Sequence, residues 1–348
     1  MIKGDITICV LAKEKNQILE QLINYWLDKS AKIIVLHETN NPLTIKSKNN
    51  SVTYIPTKET FFRRLTLLAS IVDTKYILIS PDDELFTTSF INKGVEFLDI
   101  NEDYSAIGGQ TAALWKHSGR DIFGLIYKNN LNYQTNKDLP LERAFDSIDK
   151  SSGAQHIGAP YRIMRKQVFK NWVDSLDKLQ PLKCAYLYEV LAEVYQTIHG
   201  KVKVDNSLFW IRNWITVSPN NFNRKYYYHQ WWEDYSEIQK KKILVDTIHS
   251  QYRNLDIGQI EQILKVFYLS RKITELFEIN RLQKLKSSPK RLIRNLGIVQ
   301  LLGHLRFYQT HRSIEDLELE LVDLKVRFNP AEMSEIFKRV MSFNKTYL

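Results

Sequence analysis

A mixed α/β fold, with a Rossmann-like sheet flanked by helices and a mainly helical C-terminal region, is what this chain predicts. Three observations carry the prediction. Short apolar runs alternate with helical periodicity through the first 80 or so residues. An acidic cluster, Asp82-Asp83-Glu84, stands where the fourth apolar run stops. Beyond about Lys240 strand-like runs give way to helical spacing, which divides the chain into 1–238 and 239–348.

Each element follows in order. Ile6 to Leu11 reads as a buried strand, and Gln17 to Leu27 carries Ile18, Leu22, Ile23 and Trp26 at helical spacing. Lys32 to His37 is a second strand, closed by the turn residues Asn40-Asn41-Pro42, and Val52 to Ile55 is a third. Thr60 to Val72 reads as a helix leading into the strand Tyr76 to Ile79, which gives the order β-α-β-β-α-β. A helix starts near Thr87 or Thr88. Ser105 to Gly109 looks like a strand ending at a glycine pair, where a missing side chain would let a ligand approach the backbone. The polar stretch Lys128 to Ser152 reads as a long loop, whereas Leu187 to His199 is a helix stopped by Gly200. In the C-terminal part, helices are expected at Lys242 to Tyr252, at Gln259 to Leu276 and after Asn329-Pro330; Leu317 to Val326 fits a strand or a helix.

Parallel sheets bind ligands beyond the carboxyl ends of their strands, which directs attention to Ala12-Lys13-Glu14, Glu38-Thr39 and Asp82-Asp83-Glu84. Three consecutive carboxylates after a buried strand suit a divalent cation. Mg²⁺ and Mn²⁺ prefer hard oxygen ligands and are commonly held by one or two carboxylates while substrate phosphates complete the shell. The cluster therefore points to an enzyme acting on a diphosphate-bearing donor, although an acidic turn capping the next helix has the same composition.

Composition narrows the class. The chain has 348 residues, 44% hydrophobic and 12% aromatic, enough to build a sizeable core. No apolar run reaches the roughly 18 residues of a membrane span, and Met1 to Asp5 leads directly into a strand without the apolar core of a signal peptide. Cys9 and Cys184 are too few for a disulfide framework, so a reducing cytoplasm is the expected compartment. Much of the net charge of +10 lies between Ile279 and Ile314, which hold eight Lys or Arg and no Asp or Glu. That stretch suits a peripheral position on an anionic membrane surface through 281–312, a polyanion, or a solvated helix face.

The strand-helix opening, the helix start Phe61-Phe62-Arg63-Arg64-Leu65, and Thr74 to Glu84 together resemble bacterial nucleotide-sugar glycosyltransferases of the GT-A fold, of the kind associated with surface polysaccharide synthesis. The resemblance covers roughly residues 5 to 230. It implies a DxD-like metal motif, for which Asp82-Asp83-Glu84 is the favoured register over Ser80-Pro81-Asp82, with Asp83 and Glu84 on a Mn²⁺ or Mg²⁺ ion. It also implies a nucleoside contact at Glu38, a pocket lined by Ala12 and Lys13, a downstream histidine, His229, near the metal, and a catalytic carboxylate at Glu189. An inverting transfer needs one general base, the role Glu189 would fill, with retention left open. Asp82, Asp83 and Gly109 complete the expected nucleotide-sugar contacts. Arg63 or Arg64 would offset charge on the diphosphate; adjacent helical residues point about 100° apart, so only one of them faces the site.

The expected partners are a nucleoside-diphosphate sugar and a glycan or lipid-linked acceptor. Two other readings compete. A sugar nucleotidyltransferase would share the fold, but Leu11-Ala12-Lys13-Glu14 is no glycine-rich phosphate loop. A nucleic-acid-binding protein would fit the pI near 9.3, yet no recognisable module or charge stripe crosses the main domain, and nucleic acid is not the expected partner.

Overall fold

The computed structural model describes residues 1–13, 16–43, 51–117, 120–126, 134–150, 156–184, 186–213, 227–287, 311 and 313–345. Its opening follows the predicted order: β1 (Ile6–Lys13), α1 (Asn16–Asp28), β2 (Lys32–Glu38), β3 (Val52–Thr57), α2 (Phe61–Ile71) and β4 (Tyr76–Pro81). These four strands are parallel, and β1 lies between β2 and β4. Alternation along β1 supplies both faces of the sheet. Ile6, Ile8, Val10 and Ala12 join one apolar layer with Leu19, Leu22 and Trp26 of α1, while Cys9 joins the other with Leu65 and Leu68 of α2.

The sheet continues beyond β4 in the spatial order β3-β2-β1-β4 and then β9 (Ile163–Arg165), β6 (Tyr104–His117), β10 (Lys201–Asn213) and β5 (Leu85–Phe86). After β4 come the two-residue strand β5 (Leu85–Phe86) and α3 (Thr88–Ile100), which starts where expected. The next strand, β6 (Tyr104–His117), runs through the glycine pair instead of ending there. A Cβ on Gly109 would stand 2.5 Å from the Ser207 carbonyl oxygen and 2.6 Å from the Phe209 Cβ, so the glycine serves close packing within the protein. Next are β7 (Arg120–Ile126), antiparallel to β6, and β8 (Gln134–Thr135). Within the stretch expected to be a loop lies α4 (Pro140–Lys150). Its buried face includes Arg143 and Ser147 among its residues, which hid it from a reading of apolar periodicity.

A 3₁₀ turn (His156–Tyr161), β9 (Ile163–Arg165), α5 (Lys166–Lys178), α6 (Tyr186–His199) and β10 (Lys201–Asn213) follow. β10 is parallel to β6 and antiparallel to β5, and β9 is antiparallel to both β4 and β6.

The C-terminal helices are α7 (Tyr228–Glu233), α8 (Ile238–Gln251), α9 (Ile257–Ser287), α10 (Ile314–Asp323) and α11 (Pro330–Lys345). The ambiguous stretch from Leu317 is helical as far as Asp323. Asn329 caps α11 as expected, its Oδ1 accepting from the Glu332 N–H at 3.2 Å. Apolar residues of α8 and α9 share a layer with α2, α5 and α6, whereas α10 and α11 share the opposite layer with α1 and α3. Of the basic stretch, Arg281, Lys284 and Lys286 lie on the last turns of α9 and the rest of its cations fall outside the described residues. Among the described residues, no helix is long and apolar enough to cross a membrane.

Candidate active site

The carboxyl ends of β1, β2 and β4 meet along one edge, and a polar cluster ties them together. The backbone N–H of Lys13 donates to Asp82 Oδ2 at 3.1 Å, and Lys13 Nζ pairs with Glu38 Oε1 at 2.9 Å. From α2, the buried Arg64 donates through NH1 to the carbonyls of Ala12 and Leu36 and through NH2 to Glu38 Oε2 at 2.9 Å. Burial lowers the Arg64 pKa, and the neighbouring carboxylates of Glu38 and Asp82 oppose that shift. Ala12, Lys13, Glu38, Arg64 and Asp82 are thus gathered in one place.

Arg63 is not part of that gathering. It points to Asp177 on α5 at 2.9 Å and is exposed. Of the two arginines, Arg63 faces away, and Arg64 is the one at the strand ends, bracing β1 and β2 through bonds to two carbonyls and Glu38.

Asp83 and Glu84 follow in the turn between β4 and β5, and both are buried. Glu84 Oε1 accepts from Arg212 Nε at 3.1 Å, and the Arg212 guanidinium lies 4.5 Å from the centroid of the Trp210 ring. Oε2 of Glu84 is buried and has no hydrogen-bond partner. Burial, with the nearby charge of Asp83, raises the Glu84 pKa to about 7 against the opposing pull of Arg212. Arg212 is the cation the sequence reading missed. It stands near the end of β10 after the apolar run Leu208 to Ile211, which is the signal used for the other site residues.

Aromatic packing links this cluster to α6. The ring of Tyr161 lies 4.7 Å from that of Trp210, and Tyr161 and Glu189 both act electrostatically on the buried Tyr188 phenol. Glu189 is half-buried in the first turn of α6. Glu193, one turn further on, is buried, accepting from Arg162 NH1 at 2.6 Å and from the Ser147 hydroxyl at 3.0 Å. Glu193 thus ties α6 to α4 and to Arg162.

His229 lies elsewhere. It is buried on α7, its ring 6.0 Å from that of Tyr227, which stacks in turn on Tyr186 of α6 at 5.6 Å. Among the described residues no three His, Cys, Asp or Glu side chains converge to hold a metal, so His229 does not join Asp83 and Glu84 as a third ligand. The packing of Tyr228 and Trp231 into the helical layer sets this orientation of α7. Gly109, expected near the ligand, is instead enclosed by Ser207, Phe209 and Phe90.

A second residue missed by sequence reading is His37, fully buried on β2 beside Glu38. Its Nδ1 is 2.8 Å from the Tyr54 hydroxyl, which also accepts the Leu43 N–H at 3.0 Å. Burial, reinforced by the Arg64 charge, lowers the His37 pKa to about 4, and the ring is neutral near pH 7.

The donor set fits a divalent cation. Two buried carboxylates at a strand end offer hard oxygens, and the unpartnered Glu84 Oε2 is a buried acceptor that a cation would satisfy.

No family model matches the sequence, and no curated protein matches it. Similar solved structures do exist. Residues 1–349 of S. aureus TarS superpose with a TM-score of 0.53 at 11% identity, covering 83% of this chain and 77% of that one. A longer S. aureus TarS chain aligns at 10% identity with a TM-score of 0.48, and this chain spans 42% of its length. The likeness to TarS 1–349 establishes the architecture: the chain has the GT-A-type α/β fold, with helices on both faces of a mixed sheet and a helical C-terminal region.

Proposed function

We propose that the protein is a glycosyltransferase that moves a sugar from a nucleoside-diphosphate donor to a bacterial surface glycan or its lipid-linked precursor. The observation that supports it is the strand-end cluster, in which Lys13, Glu38, Arg64 and Asp82 are gathered beside the Asp83, Glu84 and Arg212 group. TarS, whose fold this chain shares, is a wall teichoic acid glycosyltransferase, which supports the reading.

In this mechanism Asp83 and Glu84 would hold a Mn²⁺ or Mg²⁺ ion, whose charge would offset the negative charge that develops on the diphosphate. Arg212 adds a fixed positive charge beside the same carboxylates. Glu38 and the backbone around Ala12 and Lys13 receive the nucleoside, with Arg64 holding them in register. Glu189, half-buried in the first turn of α6, takes the proton of the acceptor hydroxyl in an inverting displacement. Residues 1–238 carry the donor chemistry. The basic stretch 281–312 holds the enzyme at the cytoplasmic face of an anionic membrane, where a lipid-linked acceptor would be met.

The test is a thermal-shift series with UDP, GDP, CDP and dTDP, with and without Mn²⁺ or Mg²⁺, on the wild type and on Asp83→Ala. The expected result is a metal-dependent rise for one nucleotide that Asp83→Ala abolishes. With the donor known, Glu189→Gln should lower kcat by about 10²-fold or more while leaving nucleotide binding intact. No shift with any nucleotide, together with steeply salt-dependent binding of DNA or RNA, would overturn the proposal.

A further inference from the structure

The helix that follows the acidic cluster does not cap itself. Thr87 is the N-cap residue of α3, yet its side chain makes no capping bond. Its hydroxyl donates instead to the Leu208 carbonyl of β10 at 2.8 Å, and its N–H donates to the Phe209 carbonyl at 2.8 Å. The first turn of a helix has backbone N–H groups without intrahelical partners, and an acceptor must come from somewhere. Here it comes from Glu332 on α11, 244 residues downstream of Thr88.

Glu332 satisfies four donors at once. Its Oε1 accepts from the Thr88 N–H at 2.6 Å and the Thr88 hydroxyl at 2.5 Å, and its Oε2 accepts from the Ser89 hydroxyl at 2.5 Å. The Ser89 N–H is shared between the two oxygens at 3.4 Å. A carboxylate at this end also complements the helix dipole.

The chain is therefore held at every step from the acidic cluster into α3. Glu84 is tied to Arg212, Leu85 and Phe86 pair with Ile211 and Trp210, Thr87 is bonded to β10, and Thr88 and Ser89 are bonded to Glu332. All of these anchors except the last belong to β10. Glu332 is the anchor contributed by the C-terminal region. Its helix is fixed in turn to the end of α1 and the turn after it, through Arg339 with Asp28 at 3.3 Å and Lys29 with Glu335 at 2.9 Å.

We propose that Glu332 is a positioning residue for the acidic cluster: by capping α3 it sets where Asp83 and Glu84 stand, so that the C-terminal helix is part of the donor site. The consequence for nucleotide binding rests on the reading of Asp83 and Glu84 given under Proposed function; the clamp itself does not. Glu332 touches no reacting atom and acts through the start of α3.

The experiment compares full-length Glu332→Gln with Glu335→Gln, a control on the same helix that weakens the ion pairs with Lys29 and Arg339 but loses no bond to α3. Amide hydrogen exchange is followed in the apo proteins, and binding of UDP, GDP, CDP and dTDP is measured in the presence of Mn²⁺. Expected for Glu332→Gln is faster exchange confined to about residues 82–92, and nucleotide affinity weakened by about tenfold; Glu335→Gln should show neither. Unchanged exchange over that segment, or the same change in both variants, would overturn the clamp. Faster local exchange with unaltered nucleotide affinity would overturn the positioning role. Should the wild type bind no nucleotide, the function proposed above fails by itself, and the exchange comparison alone then decides whether Glu332 governs the segment.

Discussion

The two halves of the sheet are built by different means. Around β1, β2, β3 and β4, parallel strands joined through short helices bury both faces, and the polar residues gather at one end. Around β6, β9 and β10, strand directions are mixed, and ion pairs between distant segments locate the elements: the buried pair of Arg162 with Glu193, and the half-buried Arg212 with the buried Glu84. The first half places a site by topology. The second half places it by charge, and a buried charge that loses its partner is costly, so the second half should be the more fragile to single polar substitutions.

The largest effect is expected at Glu193. Glu193→Ala leaves the Arg162 guanidinium buried beside Gln196 without its carboxylate, and should cost about 3 to 5 kcal/mol in urea unfolding. A loss below about 1 kcal/mol would remove the distinction between the halves.

Next in size is a pH effect in the parallel half. The pKa of His37 is about 4 in the folded protein, below its usual value of 6.5, so between those limits the unfolded chain binds the extra proton. The contribution is whole above pH 6.5 and is lost as the pH falls toward 4. The full shift corresponds to about 3 kcal/mol. Thermal midpoints of His37→Gln measured from pH 7.5 down to 4.5 should therefore decline less steeply than those of the wild type. Parallel declines would place the acid sensitivity elsewhere.

The smallest effect sharpens the comparison between neighbours. Arg63→Ala removes an exposed pair with Asp177 and should change stability by less than about 1 kcal/mol, with nucleotide binding unaltered. Removal of the neighbouring Arg64 would strip bonds from Ala12, Leu36 and Glu38 together. A clear loss of nucleotide affinity in Arg63→Ala would reverse the assignment of which arginine faces the strand ends.

What could be read in advance follows the same division. Apolar runs and helical spacing gave the opening strands, α1, α2 and α6, because their buried faces are aliphatic or aromatic. The acidic cluster and Glu38 were legible because strand ends in parallel sheets gather ligands. By contrast, α4 was hidden by the polar residues on its inner face. Arg143 donates there to the carbonyls of Thr197 and Ile198, and Ser147 to Glu193, and such partners cannot be known before the chain is folded. Gly109 shows the opposite error: a glycine suggested an approaching ligand, and the close neighbour is the backbone of β10. Arg212 carried the strand-end signal, but its partner Glu84 lies 128 residues away, and Glu332 lies 244 residues from the groups it serves, beyond the reach of any local pattern.

The clasp between Glu332 and the start of α3 also bears on how the protein is made. Synthesis runs from the amino terminus, and domains tend to fold as their segments emerge. The acidic cluster leaves the ribosome early, whereas Arg212 emerges far later and Glu332 later still. While translation proceeds, β4 and its carboxylates wait without the strand and the helix that frame them. Because contacts between distant segments form slowly, the site should be among the last parts of the molecule to take shape, completed only when α11 closes over α1 and α3.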